Sequence, residues 1–194
     1  MRSLLALFVL LAPLSAVADG TGSVAGTIEV GVAKHRANTV VFVKEGDKGP
    51  KAPKTARMDQ LGLVFVPRVL PIQTGSTVDF TNSDPVGHNV FTLDGEKYDL
   101  GTWPKGEKRS HVFGKPGVYR QLCGVHDDMI AFVVVLDSGR FAVSDKACKF
   151  TLDGLPPGKY VLGVWHEKLA AADVTVEVKA GPPTLVTIPL VAAK

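Results

Sequence analysis

The sequence predicts an all-β protein built from β-sandwiches, and three observations predict it. Short apolar and β-branched runs recur along the chain. Turn residues separate them at regular intervals. Helical periodicity is almost absent. The runs are Ser23–Val30, Thr39–Val43, Leu63–Val66, Thr77–Thr81, Asn89–Leu93, His111–Phe113, Val118–Leu122 and Ala131–Leu136, then Lys149–Leu152, Tyr160–Trp165, Val174–Val178 and Leu185–Leu190. Gly46-Asp47, Gly49-Pro50 and Pro53 end the second run, and Gly75-Ser76 precedes the fourth. Asp94-Gly95, Lys115-Pro116-Gly117, Ser138-Gly139 and Pro156-Pro157-Gly158 separate later ones. Gly and Pro at these places supply the backbone angles that turns need. Gly46–Arg57, basic and rich in Pro and Gly, reads as a mobile surface loop. The one helix-like patch is Glu167–Asp173, whose Lys168-Leu169-Ala170-Ala171-Ala172 has good helix propensity but little length.

The first eighteen residues read as a signal peptide. Arg2 is the positive n-region, Leu4–Leu11 the apolar stretch and Ala16-Val17-Ala18 the cleavage site, so the mature chain is expected to begin at Asp19. That stretch is too short to span a bilayer, and no later one reaches about 18 apolar residues. The expected address is the periplasm. A formal charge of +3 is too weak to argue for nucleic acid. The pattern changes at Asp137-Ser138-Gly139, where a domain boundary is placed.

The chemistry concentrates in Cys123-Gly124-Val125-His126-Asp127-Asp128-Met129, with His88-Asn89 upstream. One thiolate, two imidazoles and one thioether make the ligand set of a type 1 (blue) copper site, a trigonal His, His, Cys plane with a long axial Met. Soft sulfur suits Cu(I) and imidazole suits both oxidation states, so the set suits single-electron transfer. The expected metal ligands are therefore His88, Cys123, His126 and Met129, with one copper per chain. An oxygen from Asp127 or Asp128 is the alternative to Met129, and Met129 also reads as core filler. The chain has two cysteines. If Cys123 binds metal, Cys148 is a lone thiol. A Cys123–Cys148 disulfide would leave the His and Met spacing without a purpose. His35, His111 and His166 show no ligand spacing. His111, near Lys108 and Arg109, reads as a surface residue, and His166 as a residue that orients a loop.

These residues carry a family resemblance. Thr77–Asn82, Asp84-Pro85 and His88-Asn89-Val90-Phe91, with Pro116-Gly117-Val118-Tyr119 and Cys123–Met129, resemble the ligand-bearing strands of cupredoxins. The short Cys-x-x-His-x-x-Met loop is similar to that of amicyanins. The resemblance covers roughly Thr39 to Leu136 and implies an eight-stranded Greek-key sandwich with copper near one end. It implies that His126 is the surface-reaching imidazole and that Asn89 ties the two ligand loops. The usual hydroxyl partner of that Asn is replaced here by Gly124, so the tie must go to backbone or be lost.

From Gly139 onward, Phe141–Asp145, Phe150-Thr151-Leu152 and Leu155-Pro156-Pro157-Gly158-Lys159-Tyr160 resemble the carboxypeptidase-regulatory-like, transthyretin-like module. Gly22–Val43 is similar to the usual opening of that module. The expected organisation is a signal peptide at 1–18, a cupredoxin domain at 19–136 and the second sandwich at 137–194. Whether the strands within 22–45 belong to the first domain or the second stays open. The combination resembles methylamine-utilisation-type blue copper proteins.

The expected function is a periplasmic single-electron carrier, not an enzyme. Copper oxidases and reductases need a second copper site, and five His in all, two already used, do not supply one. A copper-handling protein would be richer in Met than three. The alternatives are that periplasmic copper-binding or copper-handling role and an adhesion or scaffold module without a redox role. Asp127 and Asp128 beside His126 point to a partner with a basic face, such as a c-type cytochrome or a dehydrogenase.

Overall fold

The computed structural model describes residues 20–31 and 37–193, so the expected signal peptide and His35 lie outside the described residues. In chain order the strands are β1 (Gly22–Glu29), β2 (Val40–Glu45), β3 (Thr55–Gln60), β4 (Phe65–Val66), β5 (Val69–Gln73), β6 (Thr77–Asn82), β7 (His88–Thr92), β8 (Tyr98–Trp103) and β9 (Lys108–Val112). They continue as β10 (Gly117–Leu122), β11 (Ile130–Leu136), β12 (Phe141–Val143), β13 (Lys149–Leu155), β14 (Gly158–Trp165), β15 (Leu169–Ala170), β16 (Val174–Val178), β17 (Thr184–Pro189) and β18 (Val191–Ala192). The protein is all-β, with no helix among the described residues.

Four sheets carry the fold. Their strand orders are β13-β1-β17, β12-β2-β14-β16, β5-β11-β10-β7-β8 and β4-β3-β6-β9. Met58, Phe80, Trp103, Tyr119 and Val133 fill the space between the last two sheets. Val24, Ile28, Phe150, Tyr160 and Leu162 fill the space between the first two. Val40, Val69, Val134 and Leu136, with Phe42, Phe132 and Trp165, join the sandwiches. The sheets therefore stack four deep. Val40–Val43 of β2 and strand β11 lie at the centre and are covered on both faces. Val41 and Val43 enter one core while Val40 and Phe42 enter the joint. Ala131, Val133 and Val135 likewise oppose Phe132, Val134 and Leu136. Burial on both faces is why these segments are continuously apolar rather than alternating.

The strands within 22–45 belong with the C-terminal ones. β1 pairs antiparallel with β13 and parallel with β17, and β2 pairs antiparallel with β12 and β14. The consecutive division at 136/137 therefore does not describe strand pairing at the N-terminal end. The strands within 22–45 and those from Phe141 onward build one sandwich, and residues 55–136 form the other between them. That inner sandwich uses nine strands, β3 to β11, including the two-residue β4.

Two local expectations change. The helix-like patch instead forms β15, paired with β18. A short segment does not recover the cost of helix nucleation, and the Lys168 and Leu169 N–H groups both donate to His166 Nδ1 at 3.1 Å. His111 is not a free surface residue. Its ring stacks 3.9 Å from Tyr98 and meets Phe113 edge-on at 4.8 Å. Burial lowers its pKa below the ordinary value.

Paired carboxylates make stability sensitive to acid. Burial alone would raise the Asp59 pKa, but the hydroxyls of Thr81 and Ser83, the Gln60 N–H and Arg57 hold it below the usual range. Asp79 is lowered by Lys108 and Ser110, and Asp94 by Arg120. These groups bind protons less readily folded than unfolded. Their contribution is complete above the unfolded pKa and is lost as pH falls through the folded values. The urea midpoint is expected to hold between pH 7 and about 5 and to fall below about pH 4. A flat profile to about pH 2 would contradict this.

Candidate metal centre

The expected ligands come from two places in the inner sandwich. His88 opens β7. Cys123 follows the last residue of β10, and His126 and Met129 lie in the loop leading into β11. Pairing of Leu122 with Phe91 brings the end of β10 against β7. Each end is shaped by local hydrogen bonds. Asn82 Nδ2 donates to the carbonyls of Val86 and Trp103 at 2.8 and 3.0 Å, folding the loop before His88. The Met129 N–H donates to the His126 carbonyl at 3.1 Å, closing the turn between them.

The result is a convergent donor set. Cys123 Sγ lies 3.9 Å from His88 Nδ1 and 3.9 Å from His126 Nδ1. All three donor atoms lie within 4.8 Å of one another. Metal–nitrogen bonds near 2.0 Å and a metal–sulfur bond near 2.3 Å, at trigonal angles, would separate N from S by about 3.7 Å. Both sulfur–nitrogen separations are therefore close to what one ion bound by the three side chains requires. His88 is fully buried and Cys123 nearly so, while His126 is partly exposed. Met129 is 1% exposed and packs in the same core as Cys123. Asp127 and Asp128 are exposed. Both cysteines are free thiols, in separate cores, so they do not form a disulfide.

His88 is oriented by Asp84, a residue that sequence reasoning assigned no role. Asp84 Oδ2 meets His88 Nε2 at 2.8 Å. A carboxylate accepts, so Nε2 carries the proton and Nδ1 turns its lone pair toward Cys123. The same carboxylate accepts the N–H groups of Gly62 at 2.6 Å and Leu63 at 2.9 Å. Gly62 and Leu63 have φ of 69° and 59°, a left-handed turn that points both N–H groups one way. Burial alone would raise the Asp84 pKa, but those two N–H groups and His88 hold it below the usual carboxylate range. No sequence spacing announces this contact, because the β3–β4 hairpin reaches Asp84 across the end of the sandwich.

Asn89 makes the tie between the two ligand loops, and it goes to backbone. Its Oδ1 accepts the Gly124 N–H at 3.0 Å, while Nδ2 donates to Asp99 Oδ1 at 2.7 Å and the Gly101 carbonyl at 3.1 Å. A Cβ at Gly124 would sit 3.3 Å from Asn89 Oδ1, so glycine allows the close approach. Trp103, 1% exposed, is the cross-strand partner of His88 and backs the site from β8.

No protein-family profile and no curated protein matches this chain. Among solved structures, it is similar to Cu-containing nitrite reductase (NirK) from Thermus scotoductus SA-01. Identity is 22%, the match covers 57% of this chain and 28% of that one, and the TM-score is 0.41. It is also similar to a mutant amicyanin in the reduced Cu(I) form at pH 4, with 22% identity, 50% of this chain and 98% of that chain covered, and a TM-score of 0.41. A second reduced amicyanin mutant has the same identity, coverage and score. The chain thus spans well under half of the reductase's length. Likeness this distant carries no functional argument, and the donor geometry carries it instead.

Proposed function

We propose that the protein is an exported type 1 copper protein that passes single electrons between periplasmic redox partners and is not an enzyme by itself. The carrying observation is the convergence of one cysteine sulfur and two histidine Nδ1 atoms, with a buried methionine in the same core. When bound, copper supplies the one-electron couple. The chain does the rest. Asp84 holds the proton on His88 Nε2, Asn89 locks the ligand loop, and the buried positions of Cys123 and His88 exclude water. A rigid donor cage lowers the rearrangement that each electron transfer requires. Met129 is the proposed axial ligand, and partly exposed His126 the route by which electrons enter and leave.

The test is a Cu(II) titration of the chain from Asp19 onward, read by visible absorption and EPR. An intense red-region charge-transfer band, narrow hyperfine splitting and one copper per chain are expected. Wide splitting with a weak band would shift the reading to copper handling. Absence of stoichiometric binding would leave a scaffold.

The proposed partner is a c-type cytochrome or dehydrogenase with a basic face. Exposed Asp127 and Asp128 follow His126 directly, and half-exposed Val125 precedes it. Asp127→Lys with Asp128→Lys is expected to slow electron exchange with a basic cytochrome about tenfold at low salt. The difference should fade as the Debye length shortens below about 8 Å. A rate unchanged at low salt would remove these residues from the docking face.

A further inference from the structure

The end of β11 nearest the candidate centre is held from the β5 side by a side chain. The parallel β5–β11 ladder runs from Val69 and Phe132 to Gln73 and Leu136, and the Phe132 N–H donates to the Arg68 carbonyl at 2.9 Å. Beyond that ladder, Arg68 Nη1 donates to the Ile130 carbonyl at 3.0 Å. Ile130 directly follows Met129. Another edge of the same guanidinium grips the second sandwich. Nε and Nη2 donate to Glu167 Oε1 and Oε2 at 3.3 and 2.7 Å. Glu167 follows β14, whose last residue, Trp165, packs 5.2 Å from Phe132. The guanidinium also lies 5.9 Å from the Phe132 ring centre. A planar fork with several fixed donors is suited to joining a carboxylate to a carbonyl with defined geometry.

We propose that Glu167 and Arg68 act as a positioning strut, through which the second sandwich fixes the Ile130 carbonyl and with it the reach of Met129 toward Cys123, His88 and His126. The inference rests on the copper reading above. The pair is two-pronged and Glu167 is only 17% exposed, so it joins the sandwiches and, beyond that, sets where the backbone is held. In a type 1 site the axial thioether bond is the long, weak one. It is therefore the bond most easily altered by a small displacement of the residue that follows. Without the strut the Ile130 carbonyl turns to water and the Met129 arm relaxes outward. Weaker thioether donation stabilises Cu(II) less than Cu(I), and the potential rises.

The test uses copper-loaded protein from Asp19 onward. Glu167→Gln is expected to raise the reduction potential and to lower blue-region absorption relative to the red-region band, with one copper per chain retained. The double variant Arg68→Glu/Glu167→Arg rebuilds the ion pair between the sandwiches but places a carboxylate against the Ile130 carbonyl. Its melting temperature should return toward that of the unaltered protein while its spectrum and potential do not. Unchanged spectrum and potential in Glu167→Gln would overturn the proposal. So would a double variant in which spectrum, potential and melting temperature all return together, because the pair would then serve only to join the sandwiches. Copper binding by the unaltered protein without a red-region band would instead overturn the copper reading, and the strut with it, before any variant is compared.

Discussion

Cys123→Ser is expected to abolish the red-region absorption band completely while leaving a folded protein. The band requires charge transfer from a thiolate sulfur to Cu(II). A serine hydroxyl ionises far less readily than a thiol and is a harder donor, so it supplies neither the charge nor the covalency. The two imidazoles remain, and copper bound to them is expected to show wide hyperfine splitting. The fold should survive because Ser and Cys are close in size and Cys123 lies at the end of β10 rather than deep within it. Burying a hydroxyl in place of the thiol costs about 1–3 kcal/mol. The matched control is Cys148→Ser. Cys148 packs with Phe150 and Ile28 in the other sandwich, so its loss should leave the band intact. A spectrum abolished by Cys148→Ser and preserved by Cys123→Ser would reverse the assignment of the ligand.

The second large effect is expected at Asp84. Asp84→Ala removes one carboxylate that accepts from Gly62, Leu63 and His88. The hairpin loses the acceptor that its left-handed turn faces, and His88 loses the partner that fixes its tautomer. Removing such an outer partner of a metal-bound histidine typically costs about 10–100-fold in metal affinity, and that range is expected for copper in a competition titration against a chelator. Stability should fall by about 2 kcal/mol in urea unfolding, less than the sum for three unpaired groups because the hairpin can turn to water. Asp84→Asn keeps the shape and one acceptor oxygen and should lie between. Equal copper affinity in all three proteins would mean that the His88 ring is held by packing alone.

The sequence made strands legible wherever apolar runs met Gly and Pro punctuation, and β6, β7, β10 and β11 are examples. The donor set was legible because Cys123, His126 and Met129 share one short loop, which local spacing can encode. His88 was legible through the residues around it. Arg68 and Glu167 were not, because they act across elements distant in the chain, and Asp84 was not, because a carboxylate four residues before a histidine is a common spacing and its other partners, Gly62 and Leu63, come from a distant hairpin. The misread of His111 has a different cause. Lys108 and Arg109 suggested a solvent face, but the aromatic pocket of Tyr98 and Phe113 is assembled by tertiary packing. A further signal lies in the sequence. The unbroken apolar runs of β2 and β11 differ from the polar-apolar mixture of β3 and β6, and that difference marks strands covered on both sides.

The parallel pairing of β1 with β17 leads to an expected order of folding. Val24 meets Thr184, so one of the first strands of the chain completes its sheet with one of the last. Closing so long a loop is slow, and contacts of this kind form late. The strands from β3 to β11, by contrast, are contiguous and can collapse on their own contacts. The donor cage is then expected to assemble while β1, with an open edge, still lacks its β17 partner. A chain truncated before β17 should accumulate as a partly folded, association-prone species with its inner sandwich formed. An unfolded chain released all at once would meet that problem only briefly.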